Sequence, residues 1–134
     1  MEYSVKASSN SRKNASIKIN QSEINFGITP ESSNTTPNPA ELFLGSFSSC
    51  ILKNVERFGA FMNFEYSKAE ILVKANRLEK PPRMDRINYE LTIFSKDRNL
   101  NIQLLKKNIE KFGTIYNTVQ TSCSIDGEVK VKSE

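Results

Sequence analysis

The chain contains no histidine, and that absence removes several kinds of chemistry at once. No Ser-His-Asp or Cys-His pair can form within one chain, so any nucleophile has to be activated by neighbouring cations, a helix terminus or a carboxylate. Zinc is not expected for a related reason: two cysteines without histidine cannot supply the usual four protein ligands. The N-terminus "MEYSVKASSNSRKN" lacks an apolar signal core. With so few cysteines and no secretory signal, reduced thiols and a cytoplasmic protein are expected, not a disulfide framework. No apolar run approaches the length of a bilayer span, so no membrane partner is expected. Nor is there a basic block interleaved with stacking aromatics; the net charge of +4 reads as a mixed-charge surface, and nucleic acid is not an expected partner. No cofactor and no metal are expected.

What is present is enough for one compact domain spanning residues 1–134. The hydrophobic share of 37% is lean, which points to a long polar loop or to strands with polar faces. Period-two alternation marks strands, because successive side chains leave opposite faces. Tyr3, Val5 and Ala7 alternate, "SSNSRKN" supplies a turn, and Ala15, Ile17 and Ile19 alternate again, which predicts a hairpin. Ile24, Phe26 and Ile28 mark a third short strand. The stretch "TPESSNTTPN", residues 29–38, has no periodicity and reads as a mobile connection or a loop ordered by a partner.

A helix should begin at Asn38, Pro39 and Glu41, where Asn caps, Pro fits the first turn and Glu reaches back to the cap's amide. Leu42, Phe43, Leu44, Phe47, Ile51, Leu52, Val55 and Phe58 make it apolar on most faces, as in a buried helix, and Gly59 offers a C-cap. Two strands follow, carrying Ala69, Ile71, Val73 and Ala75, then Ile87, Tyr89, Leu91 and Ile93. Between them "NRLEKPPRMDR" reads as too long and Pro-rich for a tight hairpin. Leu105, Ile109, Phe112, Tyr116 and Val119 share one face of a second helix starting near Asn101, with a break expected at Gly113. The last strand presents Cys123, Ile125, Val129 and Val131, with Gly127 as an expected bulge. This order predicts an α+β domain without internal repeats.

Cys50 stands in the most apolar stretch, "NPAELFLGSFSSCIL". Lys53 and Arg57 follow one and two turns later along its side of the helix. A thiol flanked by cations ionises more readily, and the thiolate is the form that attacks electrophiles or is oxidised to sulfenic acid. The competing reading is packing, since free cysteine is among the most buried residue types.

"NPAELFLGSFSSC" resembles the helix-opening signature of the OsmC/Ohr family, in which a Pro, a Glu and a run of Leu and small residues lead to a first cysteine. The crossover "KPPRMDRINYEL" and the helix "NIQLLKKNIEKFGTIYNTV" follow that family in outline, so the resemblance covers essentially the whole chain. It implies an OsmC-like fold: an antiparallel sheet with a long buried central helix, in an intertwined homodimer with active sites at the subunit boundary. It also implies reduction of organic hydroperoxides in oxidative-stress defence. The Cys50 thiolate would attack the peroxide and become a sulfenic acid, a second cysteine would resolve it as a disulfide, and a dithiol reductant would reopen the disulfide.

The chain departs from the family pattern at three places. The family's resolving cysteine usually opens a motif like Cys-Thr-Ile-His-Asn-Thr-Leu, whereas this chain reads "GTIYNTV", with Gly113 at the cysteine's place. Cys123 is then the remaining candidate resolver, or a buried structural thiol. The peroxidase members' catalytic Glu falls on Ala40; Glu41 is one residue later, as in a less characterised branch, and reads equally as part of a capping box. The family's activating Arg lies in the first hairpin turn, where this chain offers Arg12. An alternative function is a non-catalytic dimer whose cleft, lined by Phe43, Phe47 and Phe61, holds a small apolar ligand. A third reading is a structural dimer with two inert thiols.

Overall fold

The computed structural model describes residues 1–133. They form two compact units, Met1–Phe43 and Leu44–Glu134. The first holds a meander of three short antiparallel strands, β1 (Lys6–Ser9), β2 (Ala15–Ile19) and β3 (Ser22–Phe26). Ala7 lies opposite Ile17, and Ile17 opposite Ile24, so the alternation seen in the sequence sets the register. The loop after β3 is held from within. A short 3-10 turn (Pro30–Ser32) follows Thr29, the Ser32 hydroxyl donates to the Thr29 carbonyl at 2.8 Å, and the Gly27 amide donates to the Pro37 carbonyl at 2.9 Å. The polar groups of this loop thus bond to one another within the first unit.

Helix α1 (Pro39–Phe61) starts in the first unit and continues into the second. Its start is the capping box anticipated above: the Glu41 amide donates to Asn38 Oδ1 at 2.8 Å, and the Asn38 amide donates to Glu41 Oε1 at 3.0 Å. Its end differs from expectation. Gly59 lies inside the helix, buried, and Asn63 takes the left-handed position at φ 60°. The Phe64 amide donates to the Gly59 carbonyl and the Asn63 amide to the Ala60 carbonyl, the paired bonds of a Schellman cap. Asn tolerates that backbone region because its short polar side chain bonds locally.

The second unit carries a three-stranded sheet, β4 (Lys68–Glu79), β5 (Pro82–Phe94) and β6 (Ile125–Lys132), with β5 in the middle. The Pro-rich stretch does not separate β4 from β5. Glu79 pairs with Pro82, and Lys80 and Pro81, joined by a cis peptide bond, make the turn. Pro82 opens its strand, where a missing N–H disrupts no ladder. The bulge of this sheet sits on β5, where Arg86 at φ 54° supplies the extra residue between the pairs Lys74–Asn88 and Asn76–Asp85. Strand β6 lies parallel to β5 after a crossover through α2 (Ile102–Phe112) and α3 (Thr114–Val119). It runs unbroken through Gly127, which lies opposite Tyr89. A Cβ at Gly127 would fall inside the Tyr89 ring, so this glycine gives the ring room and is not a bulge.

The core of this unit lies between sheet and helices. Phe47, Ile51, Val55 and Phe58 of α1 meet Ile87, Tyr89, Leu91 and Ile93 of β5 and Leu105, Ile109, Tyr116 and Val119 of α2 and α3. Phe47 binds three elements together, its ring 6.2 Å from that of Tyr89 and 5.8 Å from that of Tyr116. Among the described residues no helix is long and apolar enough to cross a membrane.

Candidate active site

Cys50 sits midway along α1 as a free, half-buried thiol. The helical stripe running past it, Phe47, Ile51, Asn54, Val55 and Phe58, is buried. Across from the sulfur is the break between α2 and α3. Gly113 ends α2 with extended backbone, its amide bonded to the Ile109 carbonyl at 3.1 Å, and α3 restarts at Thr114. A Cβ on Gly113 would stand 3.2 Å from Cys50 Sγ and 3.0 Å from both the Ile109 carbonyl oxygen and Tyr116 Cβ. The thiol therefore faces bare backbone at the residue where the sequence motif lacks its second cysteine.

One polar side chain reaches the sulfur from within the helix. Asn54, one turn after Cys50, is only 7% exposed, and its Nδ2 lies 3.9 Å from Cys50 Sγ. The sequence does carry a signal for it, namely an amide at a position of the stripe otherwise filled by Phe, Ile and Val. Sequence reasoning misses that signal because polarity alone does not distinguish an embedded amide from a solvated one.

Beyond Gly113 lies a polar network at the edge of the core, its Lys106 and Glu110 partly exposed. Tyr89, fully buried, donates its hydroxyl to Glu110 Oε2 at 2.7 Å, and Lys106 Nζ pairs with the same oxygen at 2.8 Å. Burial, then the Glu110 carboxylate, pushes the Tyr89 hydroxyl far above the ordinary phenol range. Tyr116 is pushed up to about 12 by burial first and by Glu110 second. Both phenols thus stay protonated, as hydrogen-bond donors, through the physiological range.

The other residues singled out in the sequence are placed as follows. Cys123 lies in the turn before β6, half-buried, its thiol donating to the Met84 carbonyl at 3.4 Å. Glu41 is exposed on the first turn of α1, its carboxylate engaged in the cap. Arg12 is exposed in the β1–β2 turn at φ 64°. Lys53 is exposed. Arg57 points its guanidinium over the rings of Phe58 and Phe61, at 5.4 and 5.6 Å, so that cation is engaged by aromatic faces. Phe47 is fully buried in the core, so it does not line an open cleft, whereas Phe43 and Phe61 are exposed. Among the described residues no group of three or more Cys, Asp or Glu side chains is placed to hold a metal.

A family model describing OsmC-like proteins matches residues 32–128. The chain belongs to the OsmC-like family. The OsmC-like fold is shared with solved structures at low sequence identity. An OsmC-like protein from Mycoplasma pneumoniae is 18% identical with a TM-score of 0.86, the match covering 98% of this chain and 97% of that one. A protein from Aquifex aeolicus is 23% identical with a TM-score of 0.77, covering 98% of each chain. The organic hydroperoxide resistance protein OhrB of Bacillus subtilis is 16% identical with a TM-score of 0.62, again covering 98% of each chain. No curated protein matches the chain. In this OsmC-like chain, Cys50 is the thiol that faces Gly113.

Proposed function

We propose that this chain is a thiol peroxidase for organic hydroperoxides, with Cys50 as the nucleophile. The observation that carries the reading is the free Cys50 sulfur facing the bare backbone of Gly113, 3.2 Å from where a Cβ would stand. Membership of a family whose relatives include a protein named for organic hydroperoxide resistance supports the same chemistry.

In the reaction the Cys50 thiol first loses its proton to solvent. The thiolate attacks the terminal peroxide oxygen, a sulfur–oxygen bond forms, and the oxygen–oxygen bond breaks. The leaving alkoxide takes up a proton to become an alcohol, and sulfur is left as sulfenic acid, oxidised by the two electrons the peroxide has gained. A dithiol then displaces water from the sulfenic acid, giving a mixed disulfide, and its second thiol releases Cys50 as the thiol. That dithiol is read as external, because Gly113 offers no sulfur; resolution by Cys123, whose thiol donates to the Met84 carbonyl, is the alternative, and it would show as an intrachain disulfide after a stoichiometric peroxide pulse. A reducing, cytoplasmic setting suits this step. Arg12 keeps the activating role that the family resemblance gives it, and Glu41 a catalytic role alongside its cap, as assignments for kinetics to test.

The whole chain is read as a single OsmC-like domain working as a homodimer. Exposed apolar side chains in each unit, Tyr3, Val5, Ile24 and Ile28 in the first and Phe61, Leu104 and Phe112 in the second, favour that reading.

The deciding experiment is consumption of cumene hydroperoxide with a dithiol reductant, read together with mass spectrometry after a short stoichiometric peroxide pulse. Turnover by the wild type, its loss in Cys50→Ser, and one added oxygen on Cys50 are expected. A wild-type protein that neither consumes peroxide nor gains oxygen would overturn the reading.

A further inference from the structure

Asn54 occupies a position that folding alone does not favour. It is more than nine-tenths buried, between Ile51 and Phe58 in the buried stripe of α1. A buried amide without good partners costs about 1–3 kcal/mol, and among the described residues the one hydrogen bond of this side chain goes to Cys50 Sγ, at 3.9 Å. A neutral thiol is a poor acceptor, so to a protonated sulfur that bond returns little. It changes character when sulfur carries a negative charge, because hydrogen bonds to ions are shorter and roughly twice as strong as neutral ones. The placement is not accidental geometry: residues four apart stack on one helix face, and the later side chain leans back over the earlier one.

We infer that Asn54 is a catalytic residue for Cys50, its side-chain amide donating to the sulfur as thiolate and then to the oxygen of the sulfenate that replaces it. This rests on the peroxidase reading for its chemical setting, but the contact itself is readable without peroxide. The amide adds no electrons and no proton. It stabilises the anion before attack, and afterwards holds the newly bound oxygen while the alkoxide leaves and is protonated. A carboxylate at position 54 would do the opposite, placing an acceptor and a like charge beside the sulfur.

The test is the pH dependence of Cys50 alkylation by iodoacetamide, resolved by residue with mass spectrometry, in the wild type, Asn54→Leu and Asn54→Asp, with thermal melts alongside. Leu matches the shape without the donor and suits an apolar stripe, so Asn54→Leu should melt no lower than the wild type. Its alkylation midpoint should rise by about one pH unit, with about a tenfold lower rate at pH 7. Asn54→Asp should move the midpoint further in the same direction. A folded Asn54→Leu protein with the wild-type midpoint overturns the inference, and so does an Asn54→Asp protein titrating at or below the wild type if Asn54→Leu does not fold. Peroxide consumption by the wild type, measured in parallel, decides the peroxidase reading separately. A moved midpoint in an inert wild type would leave the Asn54 contact standing and remove the proposed activity.

Discussion

Two glycines border the core, and they differ in what a side chain there would meet. At Gly113 a new side chain would meet the Cys50 sulfur, 3.2 Å from where its Cβ would stand. In a disulfide the Cβ of one half lies about 3 Å from the sulfur of the other, so Gly113→Cys should crosslink to Cys50 under mild oxidation. The loss of both free thiols at those positions, read by mass spectrometry of the unreduced protein, checks it; two thiols that stay free would mean that position 113 does not face the sulfur. At Gly127 the obstacle is the Tyr89 ring, fully buried and hydrogen-bonded to Glu110. Gly127→Ala has to displace that ring, and a loss of about 3 kcal/mol in denaturant unfolding is expected. Cys50 and the gap at Gly113 were legible in the sequence because each breaks a recognisable pattern. Asn54 and the role of Gly127 were not, since each depends on a neighbour distant in the chain or on burial.

At the scale of elements, α1 shows how local chemistry sets boundaries. Asn38 and Glu41 exchange two hydrogen bonds at its start, and removing one partner exposes a helix-end donor. Glu41→Ala should cost about 1 kcal/mol, while Glu41→Gln retains the box and nearly all the stability; urea midpoints for the two variants separate the cases. This start was readable from four residues of sequence. The other end was not: glycine is the usual left-handed cap, yet Gly59 lies buried inside the helix within ordinary contact distance of Phe64 and Tyr66, and Asn63 takes the cap. The strands of the second sheet were visible by alternation from Ile87 to Ile93 and in Ile71 and Val73. Their hairpin was hidden, because consecutive prolines read as an interruption and only the pairing of Glu79 with Pro82 shows a two-residue turn.

For the whole molecule, charge linkage gives opposite signs at the two ends of the pH scale. Asp85 is held below the usual carboxylate range by the Ser124 and then the Arg86 amide, and Asp97 by the Asn99 and then the Glu65 amide. Carboxyls whose folded values are depressed stabilise the protein above their unfolded value of about 3.9 and lose that contribution as pH falls through the folded value. Melting temperature should therefore decline below about pH 4, and Asp85→Asn with Asp97→Asn should flatten the decline. At the alkaline end, Tyr116 is raised to about 12. Its contribution is complete below the unfolded value of about 10 and disappears as pH climbs from about 10 to about 12. Phenolate absorbance at pH 11 should accordingly be lower in the native than in the urea-unfolded protein.

Strand β6 joins its sheet alongside β5, yet thirty residues, 95–124, lie between the two in the chain. At a translation rate of about 5–20 residues per second, the ribosome takes roughly 2–6 s to deliver β6 once β5 has been made. Throughout that interval the nascent protein shows one raw margin of β5, the strand bearing Ile87, Leu91 and Ile93, to any other newly made chain.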